Sequence, residues 1–294
     1  MFKSGFVTII GRPNVGKSTI INNIIGEKIS IISDKPQTTR NKIQAVYTDD
    51  DSQIIFIDTP GIHKPKNKLG EYMGEEIDSS LEGMDLVIFM TDERKSLGPG
   101  DKFIIEKIKE LKTPVIGVVN KIDINKNAKN IESELSESKV FHKVFQISAT
   151  QGINVNKLIE EVKTIIPEGP KYYPDDYITD KPERFIIAEL IREKALKYLK
   201  QEVPHGVGVY IDKIEGSEDD NVINIDATIM CEKKSHKGII IGKQGSMLKK
   251  IGKGSRKEIN TLLGSKTYLD LWVKVKKDWR DDDKILKELG YRDW

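Results

Sequence analysis

Residues Phe6 to Ile25 read FVTIIGRPNVGKSTIINNII. The apolar, β-branched run from Phe6 to Ile10 predicts a buried strand, and the amphipathic run from Lys17 to Ile25 predicts a helix that Gly26 can close. Between them, Gly11, Arg12, Pro13, Asn14, Val15, Gly16, Lys17 and Ser18 satisfy the pattern G-x-x-x-x-G-K-S. In a strand–loop–helix setting the glycines let successive backbone N–H groups turn toward an anion at a helix N-terminus. Lys17 adds a point charge there, and Ser18, followed by Thr19, offers a hydroxyl to a divalent cation. The stretch predicts a phosphate-binding loop on an α/β scaffold; an incidental glycine turn has no need of the strand before it or the helix after it.

Working outward, the same alternation continues. Short apolar runs recur as QIIFIDT, DLVIFMTD, PVIGVVNK and KVFQIS, with helical patterns at 17–25, 70–82, 100–111 and 155–166. Strands crossed over by helices predict a mostly parallel sheet with helices on both faces. The pattern stops at PEGPKYYPDDYITDKPE, residues 167–183, where prolines and acids replace the periodicity. The expected organisation is therefore a first domain over 1–168, a linker over 169–183, a smaller α+β domain over 184–278 and a charged tail over 279–294. The smaller domain reads helix, strand, strand, helix, helix, strand, the first two strands forming a hairpin around EGSEDD.

A chain of 294 residues with 37% hydrophobic content suits two ordinary cores. No apolar run approaches the ~18 residues of a membrane span, and the N-terminal apolar run is too short for a signal peptide, so a cytoplasmic protein is expected. The single Cys231 reads as a half-buried strand residue.

Three further motifs sit at predicted strand ends, where open α/β sheets bind ligands. Asp58, Thr59, Pro60 and Gly61 follow QIIFI; a carboxylate there can hold Mg²⁺ through a water, while the Gly61 N–H can reach a terminal phosphate oxygen. Asn120, Lys121, Ile122 and Asp123 follow PVIGVV. An ionised Asp123 accepts only, which suits the N1–H and 2-amino donors of guanine and finds no such pair on adenine. Sites of that kind reject the wrong ligand by roughly 10⁴ to 10⁵. Asn120 can address the other edge of the base and the Lys121 stem can lie over the sugar. Ser148, Ala149 and Thr150 close the set, with the Ala149 N–H directed at guanine O6.

A second glycine loop lies in KKSHKGIIIGKQGSMLKKIGKGSRK, residues 233–257, which carries nine Lys or Arg and no acid in a chain of formal net charge +2. Gly242 and Gly245 permit close backbone approach, and Lys234, Lys237, Lys243, Gln244, Lys249, Lys250 and Lys253 flank them. Charges spaced along two helices around a G-x-x-G turn suit the phosphates of a single nucleic-acid strand, where a solvated basic face would be the bland alternative. Ile239, Ile240 and Ile241 suit either the floor of a groove for bases or ordinary core.

These motifs are similar to those of the translation-factor-related GTPases, and with the linker and second domain the whole chain resembles the Era-like family, a P-loop GTPase domain fused to a type II KH domain. The resemblance implies slow GTP hydrolysis, with GTP/GDP and Mg²⁺ as cofactors. It implies Ser18, Asp58 and a threonine of the loop PQTTRNK as metal ligands; that role carries to Thr39, with Thr38 as the alternative. Lys17, Thr39, Asp58 and Gly61 are then the catalytic set. Ile62 stands where Ras-type enzymes have a water-orienting glutamine, a replacement found in the family that leaves the water's partner unassigned. The resemblance further implies single-stranded RNA as ligand, the 3′ end of 16S ribosomal RNA as target, small-subunit assembly as role, a monomer, and possible peripheral membrane contact. Two rivals remain at this stage: an RNA-binding scaffold with a structural GDP, and a membrane-surface signalling GTPase using the basic patch on anionic lipids.

Overall fold

Apolar runs of the first half become the strands of one sheet. A computed structural model describes residues 1–62, 65–93, 95–216 and 222–291. It comprises two compact units, one of residues 1–30, 39–64 and 73–180, the other of 31–38, 65–72 and 181–294.

In the first unit the chain runs β1 (Lys3–Gly11), α1 (Lys17–Ile25), β2 (Ile43–Thr48), β3 (Ser52–Asp58), α2 (Lys68–Ser79), β4 (Leu86–Thr91), α3 (Pro99–Ile108), β5 (Val115–Val119), α4 (Ala128–Glu137), β6 (Lys143–Gln146) and α5 (Val155–Ile165). The first turn of α2 clusters with the second unit. The sheet order is β2-β3-β1-β4-β5-β6, parallel except for β2. Every residue of β3, β4 and β5 is buried, the continuous apolar signature of strands covered on both faces. Phe89, Ile104, Ile108, Ile131 and Leu135 belong to one core between sheet and helices.

Two elements escaped the sequence pattern. The edge strand β2, IQAVYT, pairs antiparallel with β3, and three of its six residues, Gln44, Tyr47 and Thr48, are only half-buried. The helix α4 draws its buried face from only Ala128, Ile131 and Leu135 among ten residues, too sparse a stripe to announce itself.

The proline-rich segment is not a free tether. The Val46 N–H donates to the Ile178 carbonyl at 2.9 Å, and Gln53 accepts from the N–H groups of Tyr172 and Tyr173 at 2.8 and 2.9 Å. Tyr173 and Tyr177 pack on Val46, Ile55 and Ile57. Residues 169–180 therefore cap the exposed edge at β2, whose backbone groups would otherwise lack partners.

The second unit contains α6 (Glu183–Tyr198), β7 (Gly208–Gly216), β8 (Val222–Cys231), α7 (Lys234–Ile241), α8 (Ser246–Leu263), β9 (Lys266–Val275) and a short α9 (Asp283–Glu288). The order helix, strand, strand, helix, helix, strand matches the expected one. The sheet is β7-β8-β9, with β8 antiparallel to β7 and parallel to β9; residues 217–221 of the hairpin tip, from the expected EGSEDD turn, lie outside the described residues. Cys231 is fully buried, not half-buried, because it ends the central strand under the core cluster.

Helix α6 departs furthest from expectation. Its charged residues Glu189, Arg192, Glu193 and Lys194 are all buried. Arg192 pairs with Glu189 and donates to the carbonyls of Gln37 and Thr38, while the Ile32 N–H donates to Glu193 at 3.0 Å. Segment 31–38 thus partners Arg192 and Glu193, while Lys194 pairs with Glu193 and Glu258, so that the buried charges are met as burial demands. The tail is packed as well: Trp279 is fully buried, its Nε1 donates to the Gly206 carbonyl at 3.0 Å, and Arg280 forms two bonds with Glu232.

Candidate nucleotide and nucleic-acid sites

The phosphate loop turns between the end of β1 and the start of α1. Gly16 adopts φ +109° there, and a Cβ at that position would lie 2.1 Å from the Asn120 side-chain nitrogen, so only glycine fits. Lys17 is buried, and its Nζ donates to the carbonyls of Gly11 at 3.2 Å and Arg12 at 3.1 Å. Burial lowers its pKa to about 8, opposed by the nearby Asp58 carboxylate.

Three oxygens converge beside it. The Ser18 hydroxyl donates to Asp58 Oδ2 at 2.7 Å and lies 2.9 Å from Thr39 Oγ1. Asp58 is fully buried, its Oδ1 has no hydrogen-bond partner, and burial pushes its carboxyl up despite the Ser18 bond and Lys17. A buried carboxylate oxygen left over beside two hydroxyls is the hard-oxygen donor set that Mg²⁺ takes, so the residues fit that ion. Thr38 is placed differently, its hydroxyl donating to the Lys35 carbonyl at 2.6 Å. The Thr59 hydroxyl donates to the Ile9 carbonyl at 2.7 Å, anchoring the turn through Pro60 and Gly61. The Ile62 N–H reaches the Gly11 carbonyl at 3.2 Å while its side chain packs partly on the α3–α4 core. An aliphatic group so placed cannot orient water.

At the end of β5, Asn120 is less free than its sequence position implies. Its Nδ2 donates to the Val15 carbonyl at 2.8 Å, and its Oδ1 accepts from the Ala149 N–H at 2.9 Å. Asn120 ties the phosphate loop to the Ser148–Thr150 turn instead of standing open to a base edge, and the Ala149 N–H is engaged by it. The Lys121 Nζ donates to the Asn14 carbonyl at 2.7 Å. Asp123 is exposed, and its Oδ1 accepts from the Ser148 hydroxyl at 2.7 Å, with Thr150 Oγ1 3.2 Å from that hydroxyl. Gly11 to Thr19, Thr39, Asp58 to Ile62, Asn120 to Asp123 and Ser148 to Thr150 all belong to the first unit.

The second loop lies wholly in the second unit. Gly242 and Gly245 have φ of +72° and +77°, and Gln244 between them +50°. Lys234 and Lys237 are exposed on α7; Lys243 is exposed in the turn, and Lys249, Lys250 and Lys253 are exposed on α8. A cleft of about 360 Å³ is lined by Leu248, Lys249, Gly252, Lys253 and Arg256 of α8 and by 269–271 of β9. Lys250 is turned away from it, its Nζ 4.5 Å from the ring centre of Tyr198. Ile240 is core, whereas Ile239 is exposed. Sequence reasoning missed Arg256 and the β9 wall. Arg256 was visible as one more basic residue, but the wall depends on β9 lying at a sheet edge.

Fold and site together define a P-loop GTPase domain followed by a KH domain: residues 6–121 match the family described as 50S ribosome-binding GTPase, and residues 202–280 match the KH domain. The chain is 56% identical over 292 residues to the GTPase Era of Alkaliphilus metalliredigens and 58% identical over 293 residues to that of Alkaliphilus oremlandii, covering 99% of each chain. It belongs to the Era GTPase family. Among solved structures it is 41% identical, with a TM-score of 0.95 and 99% of both chains covered, to Era in complex with MgGDPNP and nucleotides 1506–1542 of 16S ribosomal RNA. The same values hold for an Aquifex aeolicus Era variant bound to GDP and aluminium fluoride. Among the described residues, no helix is long and apolar enough to cross a membrane.

Proposed function

We propose that this GTPase is a cytoplasmic switch that binds the 3′-end region of 16S ribosomal RNA through its KH domain and assists assembly of the small ribosomal subunit. Lys17 and the backbone N–H groups of Asn14–Ser18 hold the β- and γ-phosphates. Ser18, Asp58 and Thr39 hold Mg²⁺, which when bound supplies positive charge to the phosphate oxygens. Asp123 accepts from the guanine N1–H and 2-amino group, Asn120 fixes the surrounding loops, and the Gly61 N–H reaches the γ-phosphate.

Hydrolysis breaks the bond between the γ-phosphorus and the β–γ bridging oxygen, with water as nucleophile. Ile62 lends that water no hydrogen bond, so turnover by the chain alone is slow, on the order of an unassisted Ras-type enzyme. Loss of the γ-phosphate removes the tie between Thr39 and the cation, and the loop before it is released.

The observation that carries the RNA half is the cleft between α8 and the open edge of β9. Lys249, Lys253 and Arg256 line it, and the Gly242–Gly245 turn lies at the α8 N-terminus. Backbone phosphates would lie along the basic helix, and bases would meet the strand. The test is the affinity of the full chain for a 16S 3′-end fragment and for a shuffled control, measured with GTP, GDP and no nucleotide. The expected result is preference for the true sequence and a difference between nucleotide states; equal binding of both RNAs in all states overturns the proposal. Membrane contact through the same lysines is the competing use, and vesicle flotation against the RNA fragment separates the two.

A further inference from the structure

Arg12 belongs to the phosphate loop but is held from the side. Its Nε donates to Asp101 Oδ2 at 2.8 Å, and its Nη2 lies 3.2 Å from Asp92 Oδ1 and 2.8 Å from Glu93 Oε1. Asp101, in the first turn of α3, is fully buried. On the other side, Lys121 sends its Nζ to Asp92 Oδ2 at 2.6 Å as well as to the Asn14 carbonyl. The two oxygens of Asp92 are thereby divided between the phosphate loop and the Asn-Lys-Ile-Asp motif. The topology explains why this residue can do so. Strand β4 lies between β1 and β5, and Asp92 directly follows its last residue, so it stands between the loops that leave its two neighbours.

The residues it joins are under backbone strain. Asn14 and Lys121 have φ of +65° and +63°, a left-handed conformation that is costly for residues carrying a Cβ. Such a conformation persists only where surrounding contacts over-determine it. Here the Lys121–Asn14 bond closes one residue on the other, and Asp92 holds the charged end.

We propose that Asp92 is a positioning residue for guanine selectivity: it fixes Lys121, and with it the Asp123 carboxylate two residues further on, against the phosphate loop. Selectivity for the base then depends on a carboxylate outside both motifs. The inference rests on reading residues 120–123 as the base-recognition motif, and the experiment keeps the two separable. Removing a negative charge beside a phosphate loop shifts the affinity of every nucleotide alike, so the informative quantity is a ratio. Inosine diphosphate lacks only the 2-amino donor that Asp123 would accept from.

Calorimetric titration of the full chain with GDP and IDP, in Mg²⁺, is compared for wild type, Asp92→Asn and Asp101→Asn. Wild type should prefer GDP by about tenfold or more, the scale of a lost hydrogen bond to a charged group. Asp92→Asn should lose most of that preference with an unchanged nucleotide-free melting temperature. Asp101→Asn, which weakens one of the three carboxylate contacts of Arg12 and leaves the Asp92–Lys121 pair in place, should keep it. An undiminished ratio in folded Asp92→Asn overturns the proposal, as does an equal collapse in Asp101→Asn. Absence of any GDP preference in wild type would instead sink the base-motif reading. Should Asp92→Asn not fold, Lys121→Gln, which removes the charge that Asp92 holds, carries the same expectation.

Discussion

At the scale of single residues, the chemistry turns on side chains whose partners are fixed by the strand ends that carry them. Asp123 is held through Ser148 at 2.7 Å with its other oxygen available. Asp123→Asn replaces one acceptor by a donor, which opposes the guanine 2-amino group and matches a xanthine carbonyl. Affinity for GDP should fall by about a hundredfold or more while affinity for XDP rises, on the scale of one hydrogen-bonding partner reversed. Titration with both nucleotides checks this, and an XDP affinity that does not rise contradicts the pairing. Residue types and spacing made Asp123, Lys17 and Asp58 legible in the sequence. Asn120 was legible as a member of the site but not in its task, because its two bonds, to Val15 and Ala149, join segments far apart in the chain. Asp92 and Asp101 escaped altogether: an acid after a strand and an acid in a helix carry no pattern until β1, β4 and β5 lie side by side.

At the scale of elements, the two glycines of the KH turn differ in what they tolerate. A Cβ on Gly245 meets nothing within 4 Å, whereas one on Gly242 lies 2.8 Å from the Met247 backbone nitrogen and Cβ. Gly245→Asp should cost only left-handed strain, ~1–2 kcal/mol, and still weaken RNA binding by about tenfold through charge and bulk. Gly242→Asp should lower the melting temperature further. Paired melting and RNA-binding measurements decide; unchanged RNA affinity in folded Gly245→Asp removes the Gly242–Gly245 turn from the RNA-binding surface. The β2–β3 turn offers a second test. Asp49 accepts from the Ser52 N–H and hydroxyl at 2.8 and 2.9 Å and pairs with Lys163 at 2.6 Å. Burial pushes its carboxyl up, but Lys163, Ser52 and the Asp51 N–H outweigh it and hold the pKa at about 2. A depressed carboxyl stabilises the fold above its unfolded value near 4, and that contribution is lost as pH falls through 2. Asp49→Ala should therefore destabilise by ~1 kcal/mol at neutral pH, a value reduced for solvent exposure, and by only a small part of that at pH 2, where the carboxyl is half protonated in the fold. Equal destabilisation at both pH values, read from chemical denaturation, contradicts the assignment.

For the whole molecule, a formal net charge of +2 conceals a division of labour, because the basic run of 233–257 is balanced by acids elsewhere in the chain. RNA affinity should fall with salt at a log–log slope of about −3, as expected for Lys243, Lys249, Lys253 and Arg256 each releasing roughly 0.7 counterion from a single strand. Lys250→Ala should leave that slope nearly unchanged, since its ammonium is held over Tyr198; a drop of about 0.7 would show that it binds phosphate instead. By itself the sequence determined two domains, a mostly parallel sheet with a phosphate loop at its first strand, a guanine-type motif and a glycine-broken basic helix pair. Each of these depends on local periodicity or on spacing within a few residues, which a linear chain displays directly. Tertiary structure alone decided that residues 169–180 cap β2, that Arg192 and Glu193 of α6 are buried against 31–38, that Trp279 and the tail are core, and that a strand edge walls the basic cleft. Those outcomes depend on which distant segment meets an unpaired backbone group or an unsatisfied charge, and such partners become visible only once the chain has folded.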